Sequence, residues 1–130
     1  MAYGHEMHGR ISLVILMMAT AACGGGDTKT VDAPPSTNSV TTVDCATNAP
    51  TATVVTQNFM YSPAMTMITA GQIVKFQLES SHNVAPDSAT TTDPGIAVDF
   101  GKTACLKFSK AGTFGFLCTA HGFKGSIVVQ

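Results

Sequence analysis

Charge is scarce in this chain. Asp, Glu, Lys and Arg make up 12% of the 130 residues, the formal net charge is −1 and the isoelectric point lies near 6.4. That balance gives no electrostatic basis for binding nucleic acid. Between Asn48 and Gln130, Lys75, Lys102, Lys107, Lys110 and Lys124 stand against Glu79, Asp87, Asp93 and Asp99, so no large charged patch selects a partner there. Long apolar runs are also missing. The run from Ile11 to Ala22 has 12 residues, too few to span a bilayer as a helix. No internal repeat and no amphipathic helical stretch is visible, and the chain is too short for two ordinary domains. What is abundant is Thr, Ala, Val and Gly within a 45% hydrophobic composition, which suits β-structure and excludes a disordered or long-helix protein.

The first 22 residues read as a secretory signal, with Arg10 ahead of the apolar run. Thr20-Ala21-Ala22 followed by Cys23 and Gly24-Gly25-Gly26-Asp27 resembles a bacterial lipoprotein signal, in which the cysteine becomes the lipidated first residue. Ordinary secretion with cleavage nearby is the competing reading. Both take the protein out of the cytoplasm, and both remove His5 and His8 with the signal. Residues 23–48 then form a lipidated Cys23 and a flexible tether of Gly, Pro, Ser, Thr and Asp, which holds the folded part away from a periplasmic or outer-membrane surface.

From residue 49 to 130 the pattern is one of short strands between turn residues. Strands are expected over Thr51 to Gln57, Ala64 to Thr69, Ile73 to Glu79, Ala104 to Lys110, Thr113 to Cys118 and Gly125 to Gln130. Asn58 to Pro63 reads as a bend and Pro86 to Gly95 as a surface connection. Alternation puts Val74, Phe76 and Leu78 on one face, Leu106 and Phe108 on another, and Cys105 with Lys107 outside the core. Met65 and Met67 share a face and are expected in the core. The fold class is therefore all-β, a small Greek-key sandwich or barrel of about six to eight strands. A core this small benefits from a metal or a disulfide.

The chain ends in Gly112-Thr113-Phe114-Gly115-Phe116-Leu117-Cys118-Thr119-Ala120-His121-Gly122-Phe123-Lys124-Gly125-Ser126-Ile127-Val128-Val129, and Ser80-Ser81-His82-Asn83-Val84 lies upstream. This set resembles the plastocyanin/azurin-like cupredoxin family of blue copper proteins. That family carries a His-Asn-Val-type ligand after a core strand and a C-x-x-H segment running into its final strand. The resemblance covers roughly residues 50 to 130 and implies one copper ion held by His82, Cys118 and His121. The chemistry agrees, since a thiolate with two imidazoles in a trigonal array is the donor set of blue copper. After signal removal only these two His remain, and both fall at the family's ligand positions. A nucleophilic Cys118–His121 pair is the enzymatic alternative, but no orienting acid stands nearby.

The family's usual methionine after the second His is missing, because His121 is followed by Gly122-Phe123-Lys124-Gly125-Ser126. The axial position is left empty, screened by Phe123, or filled by an oxygen such as a carbonyl near Ser81. Lys124 is a poor candidate, since its ammonium must first lose a proton, and Met60 is the one remaining thioether. Cys45 and Cys105 are left as a pair able to form a disulfide that would pin the tether's end to the domain. No substrate pocket or acid–base pair is visible, so the chain is read as a non-enzyme. It is expected to be a monomeric one-electron carrier exchanging with an unidentified redox partner protein. Copper storage, delivery or sensing is the alternative.

Overall fold

The computed structural model describes residues 38–130. The expected signal at 1–22, His5, His8, Cys23 and most of the tether lie outside these residues. Nine strands and no helix make up the described part: β1 (Val40–Val43), β2 (Ala52–Gln57), β3 (Met60–Ser62), β4 (Met65–Ile68), β5 (Ile73–Gln77), β6 (Ala85–Pro86), β7 (Thr103–Phe108), β8 (Gly112–Leu117) and β9 (Lys124–Val129). They form two sheets, one ordered β1-β7-β5-β2-β3 and the other β4-β9-β8-β6. β2 pairs with β5 in parallel and β4 with β9 in parallel, while the other ladders are antiparallel.

The core lies between the inner faces of the sheets, where alternation delivers one apolar residue in two. Val54, Val74, Phe76, Leu106 and Phe108 come from the first sheet, and Phe114, Phe116, Ile127 and Val129 from the second. Burying each large side chain fully contributes about 2–3 kcal/mol by transfer. Phe76 meets Phe116 edge-on at 5.3 Å and Phe116 meets Tyr61 at 4.7 Å, an aromatic column that runs toward one end of the sandwich.

Besides the short β6, which takes Pro86 from the expected surface connection into the second sheet, three strands depart from the sequence expectation. β1 lies within the span 23–48 read as tether, so the folded body begins before residue 49. Val40-Thr41-Thr42-Val43 pairs with Phe108 to Cys105, and only Val40 of the four is buried. Contacts distant in sequence hold this strand. Asp93 Oδ2 accepts from Ser39 N (2.7 Å), Ser39 Oγ (2.8 Å) and Val40 N (3.2 Å). Just past the strand, Cys45 is disulfide-bonded to Cys105, with Cα atoms 5.3 Å apart. The bond also covers Cys105. That residue is fully buried although it sits on the outer side of β7, away from the core cluster.

The expected bend at residues 58–63 contains β3, because Gln57 and Met60 face each other across the two-residue turn Asn58-Phe59. The third departure is β4, whose parity is the reverse of that expected. Met65 and Met67 are 60% and 59% exposed, whereas Thr66 and Ile68 face inward. Register with β9 decides this, since Thr66 pairs with the buried Ile127 and Ile68 with the buried Val129. The consequence is that Thr66 Oγ1 is buried without a hydrogen-bond partner.

Candidate metal centre

The strand ends at the tip of the aromatic column carry His82, Cys118 and His121. Cys118 follows β8 directly, so its side chain inherits that strand's buried face and is fully enclosed. His82 sits in the turn between β5 and β6. The backbone there is closed by His82 N donating to Glu79 O (3.0 Å) and braced by Gly101 N donating to His82 O (3.1 Å). Gly101 has φ +65°, and a Cβ there would come within 2.9 Å of Ser80 Cα, so the brace needs glycine. His121 lies in the short loop between β8 and β9. Gly122 N donates to Cys118 O (2.8 Å) and Cys118 N to Phe123 O (3.0 Å), with Gly122 in the left-handed region at φ +74° closing the loop.

These turns aim three soft or borderline donors at one point. Cys118 Sγ lies 3.8 Å from His82 Nδ1 and 3.6 Å from His121 Nδ1, and all three ligand atoms fall within 4.8 Å of one another. A metal about 2.0–2.3 Å from each donor in a trigonal array would separate sulfur from nitrogen by roughly 3.8 Å. The spacing therefore fits one small transition-metal ion. His82 is buried and His121 exposed, so the site is closed on the protein side and reaches solvent through one imidazole.

Hydrogen bonds beyond the three donors fix the two loops relative to each other. Asn83 Oδ1 accepts from Thr119 N (2.9 Å) and Thr119 Oγ1 (3.1 Å), joining the His82 segment to the Cys118–His121 loop. Asn83 O accepts from Tyr61 Oη (2.5 Å). The Tyr61 hydroxyl is pushed well above its ordinary pKa, mainly by burial and secondarily by the negative charge of a Cys118 thiolate, so it stays a donor. On the outer edge of His82, Nε2 lies 3.4 Å from Glu79 Oε2 and 3.5 Å from Ser81 Oγ. A proton on Nε2 facing the carboxylate leaves the Nδ1 lone pair for a metal.

Lys124 stands three residues after His121. Its ammonium, whose nitrogen has no lone pair to offer a metal, donates to Asp87 Oδ2 at 2.9 Å. That bond, followed by one from Ala89 N, holds the Asp87 carboxyl below the usual carboxylate range. Ser81 Oγ approaches the outer nitrogen of His82, not the one facing Cys118. Two phenylalanines complete the surroundings. Phe123 packs edge-on to His82 (5.1 Å) and stacks with His121 (6.3 Å), while Phe59 meets His82 at 5.5 Å and His121 at 4.9 Å, both edge-on. Phe59 was no part of the sequence-level site. Its approach depends on how β2 and β3 hairpin across the end of the sandwich, and no local pattern encodes that. Met60, the thioether candidate, is 62% exposed in the same hairpin.

The two-sheet architecture and the placement of these loops define the cupredoxin fold. Among solved structures, amicyanin from Paracoccus versutus superposes with a TM-score of 0.56 at 22% identity, covering 72% of this chain and 99% of that one. A reduced tryptophan-to-tyrosine variant of amicyanin gives 0.57 at 22% identity, over 72% and 100% of the two chains. A methionine-to-glutamine variant described in its Cu(I) form gives 0.56 at 22% identity, over the same shares. No protein-family model matches the chain, and no curated protein matches it at a significant level.

Proposed function

We propose that the protein is an extracytoplasmic, mononuclear copper protein that carries one electron at a time. The observation that carries this reading is the convergence of Cys118 Sγ with the Nδ1 atoms of His82 and His121 at 3.8 and 3.6 Å. One thiolate and two imidazoles are the donor set that suits copper in both oxidation states. Copper would supply the one-electron change, and the protein's part is to keep the donors still while the charge changes. The loop ties through Asn83, the turn closed at Glu79 and the aromatic column beneath Phe123 all serve that end. Likeness to amicyanin, for which a Cu(I) form is described, supports the same choice of metal. With a bonded Lys124 and no methionine in the loop, the centre is read as three-coordinate or oxygen-capped.

His121 is the exposed donor, and electrons would pass through its edge to a redox partner protein docking over it. In this reading residues 1–22 direct export, and lipidated Cys23 anchors a monomer at the periplasmic or outer-membrane surface. We read the protein as a carrier and not an enzyme. Among the described residues, a cavity of about 320 Å³ lies away from the three donors, lined by Asn38, Ser39, Asp93, Pro94 and Phe114 among others. Repeated chemical reduction and reoxidation of the copper-loaded protein tests the function. A carrier returns to its starting spectrum with the metal retained, whereas release of copper to a Cu(I) chelator on each reduction would identify a storage or delivery protein.

A further inference from the structure

We infer that Phe59 is a positioning residue that holds the His121 imidazole in its ligand orientation. The inference deepens the copper reading, and its metal arm rests on that reading. Gln57 and Met60 close a two-residue hairpin in which Asn58 has φ +49° and Phe59 φ +57°. A two-residue hairpin with both central residues left-handed favours Asn followed by Gly. Asn58 follows that rule and Phe59 breaks it, since a bulky side chain in the left-handed region is a true outlier. Burial does not explain the choice, because Phe59 is 60% exposed. What Phe59 gains is edge contact with both imidazoles, at 4.9 Å to His121 and 5.5 Å to His82.

The two imidazoles differ in their need for such contact. His82 is buried, and its Nε2 faces Glu79 and Ser81. His121 is exposed, and among the described residues its only polar contact is Nδ1 with Cys118 Sγ, the pair a metal would bridge. Its orientation therefore depends on three flanking rings, those of Phe59 and His82 at 4.9 Å and of Phe123 at 6.3 Å, and of these Phe59 is the one that is neither a donor nor within the donor loop. A locally unfavourable backbone retained at a site is a sign of function when the surrounding contacts account for it.

The test uses Phe59→Gly in the purified protein, with Asn58→Gly as control. In metal-free protein, alkylation of Cys118 by iodoacetamide should run about three- to tenfold faster in Phe59→Gly, the range one aromatic edge contact supplies. Copper(II) release to EDTA from the loaded protein should rise by a similar factor. The thermal midpoint should equal or exceed the parent's, because glycine takes this φ without a steric penalty. Asn58→Gly keeps the ring and should leave both rates at the parent value. Parent-like alkylation in folded Phe59→Gly overturns the inference, and so does faster alkylation that merely tracks a lowered midpoint. In the unaltered protein, cross-relaxation between the Phe59 and His121 ring protons should be observed, and its absence overturns the inference even if the variant does not fold. Failure to bind copper with faster alkylation would count against the copper reading alone.

Discussion

Removing the Asn83 side chain should loosen the metal loop by an amount that the structure allows to be worked out. Asn83 Oδ1 receives two hydrogen bonds from Thr119, one from the amide and one from the hydroxyl. Each such bond contributes about 1 kcal/mol net. Thr119 is exposed, so water partly replaces the lost partner and the pair together is worth about 1.5 kcal/mol. Thr119→Val removes only the hydroxyl bond and should cost about 0.5–1 kcal/mol on the same scale. For a domain of this size, Asn83→Ala should lower the thermal midpoint by about 6–12 °C. A double-mutant cycle over Asn83→Ala and Thr119→Val, measured by denaturant unfolding of the metal-free protein, isolates the shared bond as a coupling of about 0.5–1 kcal/mol. Strict additivity of the two substitutions, or an Asn83→Ala midpoint within 2 °C of the parent (roughly the noise of 0.3 kcal/mol), would refute the claim that Asn83 ties the two ligand loops.

Three further outcomes follow from other parts of the fold. Cys45 and Cys105 close a loop of 60 residues, worth about 4 kcal/mol in the chain-entropy estimate; replacing both by Ser should lower the midpoint by roughly 15–30 °C, and a drop below about 5 °C would show that β1 is held by other contacts. Thr66→Val removes the buried hydroxyl that has no partner and should stabilise the protein by about 1 kcal/mol in denaturant unfolding; destabilisation would mean that the hydroxyl is satisfied. The depressed Asp87 carboxyl contributes stability in full above the unfolded carboxylate value of about 3.9 and loses it as the pH falls through the lowered folded value. Asp87→Asn should therefore be less stable than the parent at pH 7, and thermal melts at decreasing pH should show that gap closing in acid; a constant gap contradicts the Lys124 pairing as its source.

The strands with one clean apolar face could be read directly from the sequence. Val74, Phe76 and Leu78 in and after β5, and Leu106 and Phe108 in β7, are buried as their alternation requires. β1 was hidden because Val40-Thr41-Thr42-Val43 sits in a Ser- and Thr-rich stretch, and its anchors, Asp93 and Cys105, lie more than fifty residues away. The inward face of β4 is not legible, because Met-Thr-Met-Ile carries apolar residues on both faces and only the register against Ile127 and Val129 chooses between them. At the site, the donor residues were legible because the motif lies in two short segments. Phe59 and the bonding of Asn83 to Thr119 were not, since both need strand ends distant in sequence to be brought together, and Glu79 was not, since its approach to His82 depends on the turn that folds residues 79–82.

If Cys118, His82 and His121 bind one copper through the thiolate, the visible spectrum of the purified protein after addition of Cu(II) will show it. One copper per chain is expected, with an intense thiolate-to-copper charge-transfer band that disappears in Cys118→Ser. A copper-loaded protein without that band, or a band that survives Cys118→Ser, would contradict it.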